Sequence, residues 1–169
     1  HSNLIANDCG LIYTVGGPFY ATIHHNWFHD TFSRGNMYKA AGIYLDNDAE
    51  GFDVYRNVVW NTEWSSIQMN KDARDIRIFN NTLWDGSTAI GTWHATGTYF
   101  EGVVVYNNLA NNSGWDSQND YQNNLTVYSD PFVNSSGKDW QLKPGTQPVD
   151  YGRHIQGFTE GYLGDSPDA

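Results

Sequence analysis

The chain has 169 residues, a formal net charge of −10 and a sequence pI near 4.7. An acidic protein is a poor partner for nucleic-acid phosphates and for anionic membranes, so we expect it to bind neither. The length is sufficient for one domain with its own hydrophobic core. Aromatic residues make up 15% of the chain, whereas Lys and Arg together number only nine. This composition suits neutral sugars better than charged polymers.

A short phrase that contains a fixed asparagine recurs along the chain. Its asparagines are Asn3, Asn26, Asn57, Asn81 and Asn108, separated by 23, 31, 24 and 27 residues. A period in the twenties without helical patterning is typical of a solenoid of β-strands. Asparagine tolerates the left-handed backbone of a sharp corner, and its amide can hydrogen-bond to an asparagine in the next coil. The spacing therefore predicts an asparagine ladder at one corner.

A second phrase recurs at residues 10–14, 42–46, 66–70 and 89–93. Strand periodicity assigns its alternate side chains to opposite faces. It predicts an inward set of Leu11, Tyr13, Ile43, Leu45, Ile67, Met69, Ile90 and Thr92. It predicts an outward set of Ile12, Thr14, Tyr44, Asp46, Gln68, Asn70, Gly91 and Trp93. The asparagine phrase predicts two further inward columns. One contains Ile23, Val54, Ile78 and Val105. The other contains Ile5, Phe28, Val59, Leu83 and Ala110. Three inward columns predict three strands per coil.

Two segments depart from the repeat. Residues 31–39 form an insertion that predicts a loop beside the strand ending at Asp46, and loops on a rigid scaffold often carry function. From Asp130 onward the repeat stops. We therefore predict one domain over residues 1–169, with coils at 1–128 and a C-terminal closing segment at 129–169. Such a segment covers the open end of the last coil and its unpaired edges.

Two stretches of sequence carry a resemblance to a known superfamily. They are Gly42-Ile-Tyr-Leu-Asp-Asn-Asp48 followed by Val54-Tyr-Arg-Asn57-Val-Val, and Asp130-Pro-Phe-Val with Asp139-Trp-Gln-Leu and Pro144-Gly. They resemble the right-handed parallel β-helix (pectate-lyase-like) superfamily. The resemblance implies an all-β, right-handed parallel β-helix of about five coils. Its members include lyases, glycoside hydrolases, epimerases, tailspikes and non-catalytic carbohydrate-binding modules, which bind carbohydrate along an outward sheet face. The closing segment resembles that of secreted bacterial members, which implies an extracellular protein.

The outward face of the second phrase is the first candidate binding surface. Thr14, Tyr44, Asp46, Gln68, Asn70 and Trp93 lie there in rows, and Trp64 directly precedes one of the strands. Aromatic rings offer flat faces to sugar C–H groups, and amides and carboxylates bind hydroxyls. We predict Trp64 and Trp93 as stacking platforms for a plant-type polysaccharide such as xylan. The alternative is that these are ordinary solvated strand residues.

Two more outward rows are aromatic. One contains His24, Tyr55, Phe79 and Tyr106, and the other contains His29, Trp60 and Trp84. Aromatic stacking between neighbouring strands stabilises a sheet by itself. We therefore favour a structural role for these rows, or cover by the missing part of a larger protein, over a second glycan platform.

The carboxylates suggest an enzymatic alternative. Asp46 and Asp72 come from adjacent coils, and glycosidases place two carboxyl groups about 5 Å or about 6.5–9.5 Å apart. A lyase fits less well because an acidic face repels polyuronates. Asp46, Asp48 and Glu50 have the spacing of the start of a calcium loop. The glutamate expected at loop position twelve is replaced by Asn57.

These observations favour a non-catalytic carbohydrate-binding module that requires no cofactor, with calcium as an alternative. A glycoside hydrolase, or the C-terminal part of one, is the second hypothesis, with Asp46 and Asp72 as acid and base. A tailspike-like adhesive solenoid is the third. The chain opens within a repeat, so we expect an attached upstream segment such as a catalytic domain. Unpaired strands in the first coil would also allow end-to-end self-association.

Overall fold

The computed structural model describes residues 6–17, 20–115 and 120–169, and every regular element in this part of the chain is a β-strand. The strands stack in parallel into three sheets and form a right-handed parallel β-helix, which confirms the predicted fold class. Within these residues there is no helix of the length and hydropathy needed to cross a bilayer.

The strands follow the chain coil by coil. The first coil contains β1 (Cys9–Val15), β2 (Ala21–His24) and β3 (Trp27–Thr31), and the second contains β4 (Ala40–Asp46), β5 (Glu50–Tyr55) and β6 (Val58–Thr62). The third contains β7 (Ser65–Asn70), β8 (Arg74–Phe79) and β9 (Thr82–Trp84), and the fourth β10 (Thr88–Trp93), β11 (Val104–Tyr106) and β12 (Leu109–Ala110). Then come β13 (Asp120–Gln122), β14 (Leu125–Thr126) and a hairpin of β15 (Phe132–Asn134) and β16 (Asp139–Leu142).

Each of the first four coils contributes one strand to each sheet, and β13 and β14 extend sheets B and C. Sheet A has the order β1-β4-β7-β10, sheet B has β13-β11-β8-β5-β2, and sheet C has β14-β12-β9-β6-β3. Outside the first coil of sheet A, the hydrophobic core between them contains the predicted inward columns, with Ile43, Val54 and Val59 fully buried as representatives of the three sheets. The predicted inward residue Ile5 lies outside the described residues.

The prediction for the first strand of sheet A was wrong by one residue. Ile12, not Leu11, pairs with Ile43, so Thr14 occupies the inward position beside Leu45 and Tyr13 the outward position beside Tyr44. The hydroxyl of Thr14 is buried without a hydrogen-bond partner. Residues 11–13 are all large and apolar, so period-two alternation could not distinguish the two registers.

The asparagine ladder is confirmed. Each side-chain amide donates to the Oδ1 of the asparagine in the next coil, over 3.0 Å from Asn26 to Asn57 and from Asn57 to Asn81, and over 2.9 Å from Asn81 to Asn108. Asn124 accepts the next bond, also at 2.9 Å. Asn3 lies outside the described residues.

The left-handed residue of this corner precedes the ladder residue in every described coil. These residues are His25, Arg56, Asn80, Asn107 and Asn123, with φ between 50° and 55°. The prediction that the ladder asparagine itself takes this conformation was therefore wrong. Instead, its side chain is directed into the corner, where Asn57 and Asn81 are each 1% exposed and fully hydrogen-bonded.

The C-terminal closing segment packs along the side of the solenoid. The β15–β16 hairpin contacts the outer face of sheet C, where Trp140 packs on Trp60 with ring centroids 5.3 Å apart. Farther along, Asn107 exchanges two hydrogen bonds with the backbone of Arg153, at 2.7 and 2.8 Å. The segment was predicted to cover the end of the last coil, but these contacts extend back to the second coil. It therefore leaves sheet A uncovered.

Candidate binding groove on sheet A

The outer face of sheet A contains a groove of about 300 Å³. Its lining combines aromatic, amide and charged side chains: Asp8, Lys39, Tyr44, Asp46, Asn47, Trp64, Asn70, Thr92 and Trp93. The structure thus brings together Tyr44, Asp46, Trp64, Asn70 and Trp93 from the predicted binding set. We call this surface groove A.

One row of side chains crosses the sheet along the solenoid axis. Val15 lies beside Asp46 on neighbouring strands, and Asn70 beside Trp93. The register of β4 and β7 places Asp46 next to Asn70. Parallel strands are about 4.8 Å apart, close to the length of one pyranose ring. A glycan chain along this row would therefore meet one side chain per sugar.

Asp46 and Asn70 are held in fixed positions by a hydrogen-bond network. The Asn70 amide donates to Asp46 Oδ1 at 2.6 Å and to the Tyr44 hydroxyl at 2.7 Å. Tyr44 in turn donates to Asp8 Oδ1 at 3.0 Å, and the Tyr13 hydroxyl donates to Asp46 Oδ2 at 2.6 Å. Because each partner is itself held, the polar row is preorganised for a ligand.

Both phenols in this network remain protonated far above neutral pH. The hydrogen bond to Asp46, and then burial, raise the pKa of Tyr13 to about 12. Burial, followed by the negative charges of Asp46 and Asp8, also raises the pKa of Tyr44. At physiological pH both hydroxyls therefore act as donors to carboxylates.

The aromatic side chains of groove A differ in exposure. Tyr44 is only 2% exposed, since Tyr13 and Trp64 pack edge-on against it with ring centroids 5.0 and 5.5 Å away. Trp64 is half-buried, and the Lys39 ammonium lies 5.8 Å from its ring centroid. Trp93 is 51% exposed. Trp93 is thus the ring most accessible to a ligand, and Tyr44 supports the floor.

Gln68 was predicted as a contact residue, but it does not line groove A. It is 1% exposed, and its amide donates to Asn70 Oδ1 at 3.0 Å while Ser65 donates to its Oε1 at 2.7 Å. On the neighbouring strand stands Gly91, where any side chain would collide with Ser65 and Gln68. Gln68 thus supports Asn70 from below.

The proposed acid–base pair is not brought together in groove A. Asp72 lies in the turn after β7, with φ of 58°, and its Oδ1 accepts a weak bond from the Tyr99 N–H at 3.4 Å. It is absent from the groove lining, so it does not face Asp46 there. The hydrolase hypothesis therefore gains no geometric support.

The candidate calcium ligands do not converge. Asp46 ends a strand of sheet A, whereas Glu50 begins a strand of sheet B and pairs with Arg74 at 3.3 Å. The turn around Asp48 separates the two carboxylates onto different faces. In the described part of the chain, no three His, Cys, Asp or Glu side chains lie close enough together to hold a metal ion.

The aromatic row of sheet B forms a continuous stack, whereas in sheet C Trp60 and Trp84 both contact Trp140 of the closing segment. In sheet B, Tyr55 stacks on His24 and Phe79 with centroids 4.8 and 5.0 Å apart, and Phe158 of the closing segment lies edge-on against the stack. In sheet C, Trp60 and Trp84 are 4% and 7% exposed. Trp60 and Trp84 are thus packing residues, as the structural interpretation predicted, but the cover comes from this chain's own C-terminal segment and not from a missing part of a larger protein.

Four residues of the lining were not predicted from the sequence: Asp8, Lys39, Asn47 and Thr92. Lys39 directly precedes β4 and Asn47 directly follows it. Their proximity to the strand phrase was the only available signal. Asp8 pairs with Lys39 at 3.8 Å through a contact that only the β1–β4 pairing creates.

Comparisons with protein-family models, with curated proteins and with solved structures find no match for this chain. The function is therefore argued from the groove itself.

Proposed function

We propose that this protein is a non-catalytic carbohydrate-binding module that holds a neutral, plant-type polysaccharide such as xylan in groove A. The observation that carries the proposal is the exposed Trp93 ring in one row with the fixed Asp46 and Asn70 side chains. As a proposal it also implies an extracellular protein that acts together with an attached catalytic domain.

Groove A supplies the two kinds of contact that a sugar requires. The indole of Trp93 offers an apolar face to the C–H groups of one ring. Asn70 and Asp46, one and two strands away, offer the remaining lone pairs of an amide oxygen and of a carboxylate to hydroxyl groups on the following sugars.

Size and charge are compatible with this ligand. A groove of about 300 Å³ lies at the lower end of ordinary ligand sites, so it holds a short segment while the rest of the chain follows the row. Asp8 and Asp46 outnumber Lys39 among the charged lining residues. This balance disfavours polyuronates and favours a neutral backbone.

Affinity electrophoresis tests the proposal. We expect retardation in gels that contain xylan, compared with gels that contain pectin or no polysaccharide. Trp93→Ala is expected to remove it. The matched control is Trp27→Ala, because Trp27 is 59% exposed on sheet C and lies outside groove A.

Unchanged mobility of the wild type in every neutral polysaccharide would contradict the proposal, as would equal retardation of wild type and Trp93→Ala. Release of reducing sugar from xylan, abolished by Asp46→Asn, would instead identify a hydrolase.

A further inference from the structure

A second and larger groove crosses the outer face of sheet B. Its volume is about 510 Å³, and its lining comes from four successive coils: Tyr20, Ala21, Thr22, Glu50, Gly51, Asp53, Asp75, Arg77, Gly102 and Val104. None of these residues lines groove A. We call this surface groove B.

Two glycines flank Asp75 on the floor of groove B. Asp75 lies between Gly51 of the preceding coil and Gly102 of the following coil. Both glycines have a left-handed backbone, with φ of 73° and 65°. A Cβ on Gly102 would lie 2.6 Å from Asp75 Oδ1, and the left-handed backbone of Gly102 disfavours any side chain there. Gly51 is buried and Gly102 is exposed, so the Gly102 peptide and the exposed Asp75 carboxylate are accessible to a ligand.

One wall of groove B is a rigid ion pair. Asp53 and Arg77 form a bidentate contact, with Arg77 Nε donating to Asp53 Oδ1 at 2.6 Å and a second guanidinium nitrogen donating to Oδ2. The Arg77 guanidinium also lies 5.1 Å from the ring centroid of Phe158. The pair is thus braced by the C-terminal segment and presents fixed polar atoms along the groove.

The chemistry of groove B selects a neutral polyhydroxylated ligand. Among its charged lining residues, Glu50, Asp53 and Asp75 outnumber Arg77, so phosphates and other anions are disfavoured. Carboxylates and exposed peptide groups accept hydrogen bonds from hydroxyls. At one end Tyr20 is 95% exposed, which provides a ring for stacking.

We propose that groove B is a second binding site for a neutral oligosaccharide chain, so that one molecule binds two polysaccharide chains and cross-links them. The ligand class rests on the proposed function, whereas the site itself is independent of groove A. Asn47 lines groove A and Glu50 lines groove B, and the turn between them separates two different faces of the solenoid. A straight glycan chain can occupy only one of the two grooves.

The test combines stoichiometry with cross-linking. Calorimetric titration of the full chain with xylohexaose is expected to give two sites per molecule, and mixing with soluble xylan is expected to produce turbidity. Tyr20→Ala and Asp75→Asn each reduce the stoichiometry to one and abolish the turbidity. Asparagine is chosen at position 75 because it tolerates the left-handed backbone there. Tyr128→Ala is the matched control, since Tyr128 is 89% exposed outside both grooves.

The two proposals fail in different ways. One site per molecule that only Trp93→Ala removes would overturn the second groove and leave the proposed function intact. A titration could instead give one site per molecule that is lost in Tyr20→Ala and Asp75→Asn but kept in Trp93→Ala. This result would support binding at groove B. It would overturn both cross-linking and the proposed function of groove A. Binding of oligolysine, but not of xylohexaose, that depends on Asp75 would identify groove B as a site for cationic peptides and overturn its proposal.

Discussion

Sheets A and C each carry tryptophans on their outer faces, in the same kind of repeat, but these side chains differ in exposure. Where the C-terminal hairpin covers sheet C, Trp60 and Trp84 are 4% and 7% exposed, whereas Trp93 of sheet A is 51% exposed and Trp27, in the first coil of sheet C, is 59% exposed. The difference comes from a distant part of the chain, because Phe132 and Trp140 of the C-terminal hairpin pack against sheet C. The hairpin turns an aromatic row into a second small core.

This comparison separates two roles that look alike in the repeat. An outward aromatic side chain stabilises the fold where another segment covers it, and remains available to a ligand where nothing does. On sheet C the covered rings hold the closing segment to the solenoid. On sheet A, the polar network of Asp46 and Asn70 surrounds an open surface instead.

The largest loss of folding stability is expected for a substitution on the covered face of sheet C. Trp84→Ala removes a large buried ring that contacts Phe132 and Trp140, so the free energy of unfolding is expected to fall by about 3–5 kcal/mol. Trp93→Ala, on the open face, is expected to change it by less than about 0.5 kcal/mol. Urea unfolding followed by circular dichroism measures both. Equal losses for the two variants would remove the distinction between the faces.

A smaller difference in the free energy of unfolding is expected between variants of two buried asparagines. Asn81→Ala leaves the amide and the backbone N–H of Asn57 without their acceptor, which predicts a loss of about 2–4 kcal/mol. Asn70→Ala, at the edge of the open groove, is expected to cost only about 1 kcal/mol, because water can replace part of its contacts.

Asn70→Ala is also expected to weaken xylohexaose binding about tenfold. Asn36→Ala is the control for both measurements because Asn36 is exposed in the loop before β4. A ladder variant as stable as this control would contradict the structural role of the corner.

The smallest expected effect is a pH dependence of folding stability that arises from Tyr13 on the open face of sheet A. The folded-state pKa of Tyr13 is about 12, above its ordinary value of 10.0, with the hydrogen bond to Asp46 as the main cause. Between these pH values the unfolded chain releases the phenolic proton while the folded protein retains it. The stabilisation is therefore complete below pH 10 and is lost as the pH rises toward 12.

Tyr13→Phe is expected to flatten this part of the stability curve, and phenolate absorbance should show one late-titrating tyrosine fewer. An unchanged alkaline titration in the variant would show that the bond to Asp46 does not hold the proton.

Much of the fold could be predicted from the sequence because a solenoid repeats its local contacts. The ladder asparagines and the inward columns are set by spacing and by period-two alternation, and both were found. The register of β1 was missed because residues 11–13 are apolar on both faces. The left-handed residue before each ladder asparagine was missed because it varies from His25 to Arg56 and Asn80, and so has no sequence signature.

The candidate site could be predicted only in part. The outward positions of Tyr44, Asp46, Asn70 and Trp93 followed from the repeat. The burial of Gln68 depends on the missing side chain of Gly91 on another strand, which alternation along one strand does not reveal. Groove B was not predicted, because it arises from two left-handed glycines and from an ion pair between neighbouring coils.

A crystal structure of the protein with xylohexaose shows directly whether groove A holds a glycan. We predict one sugar ring stacked on Trp93, with hydroxyls of the neighbouring sugars hydrogen-bonded to Asn70 and Asp46 along the solenoid axis. A complex in which sheet A stays empty, with the oligosaccharide bound on sheet C after displacement of the C-terminal hairpin, would contradict it.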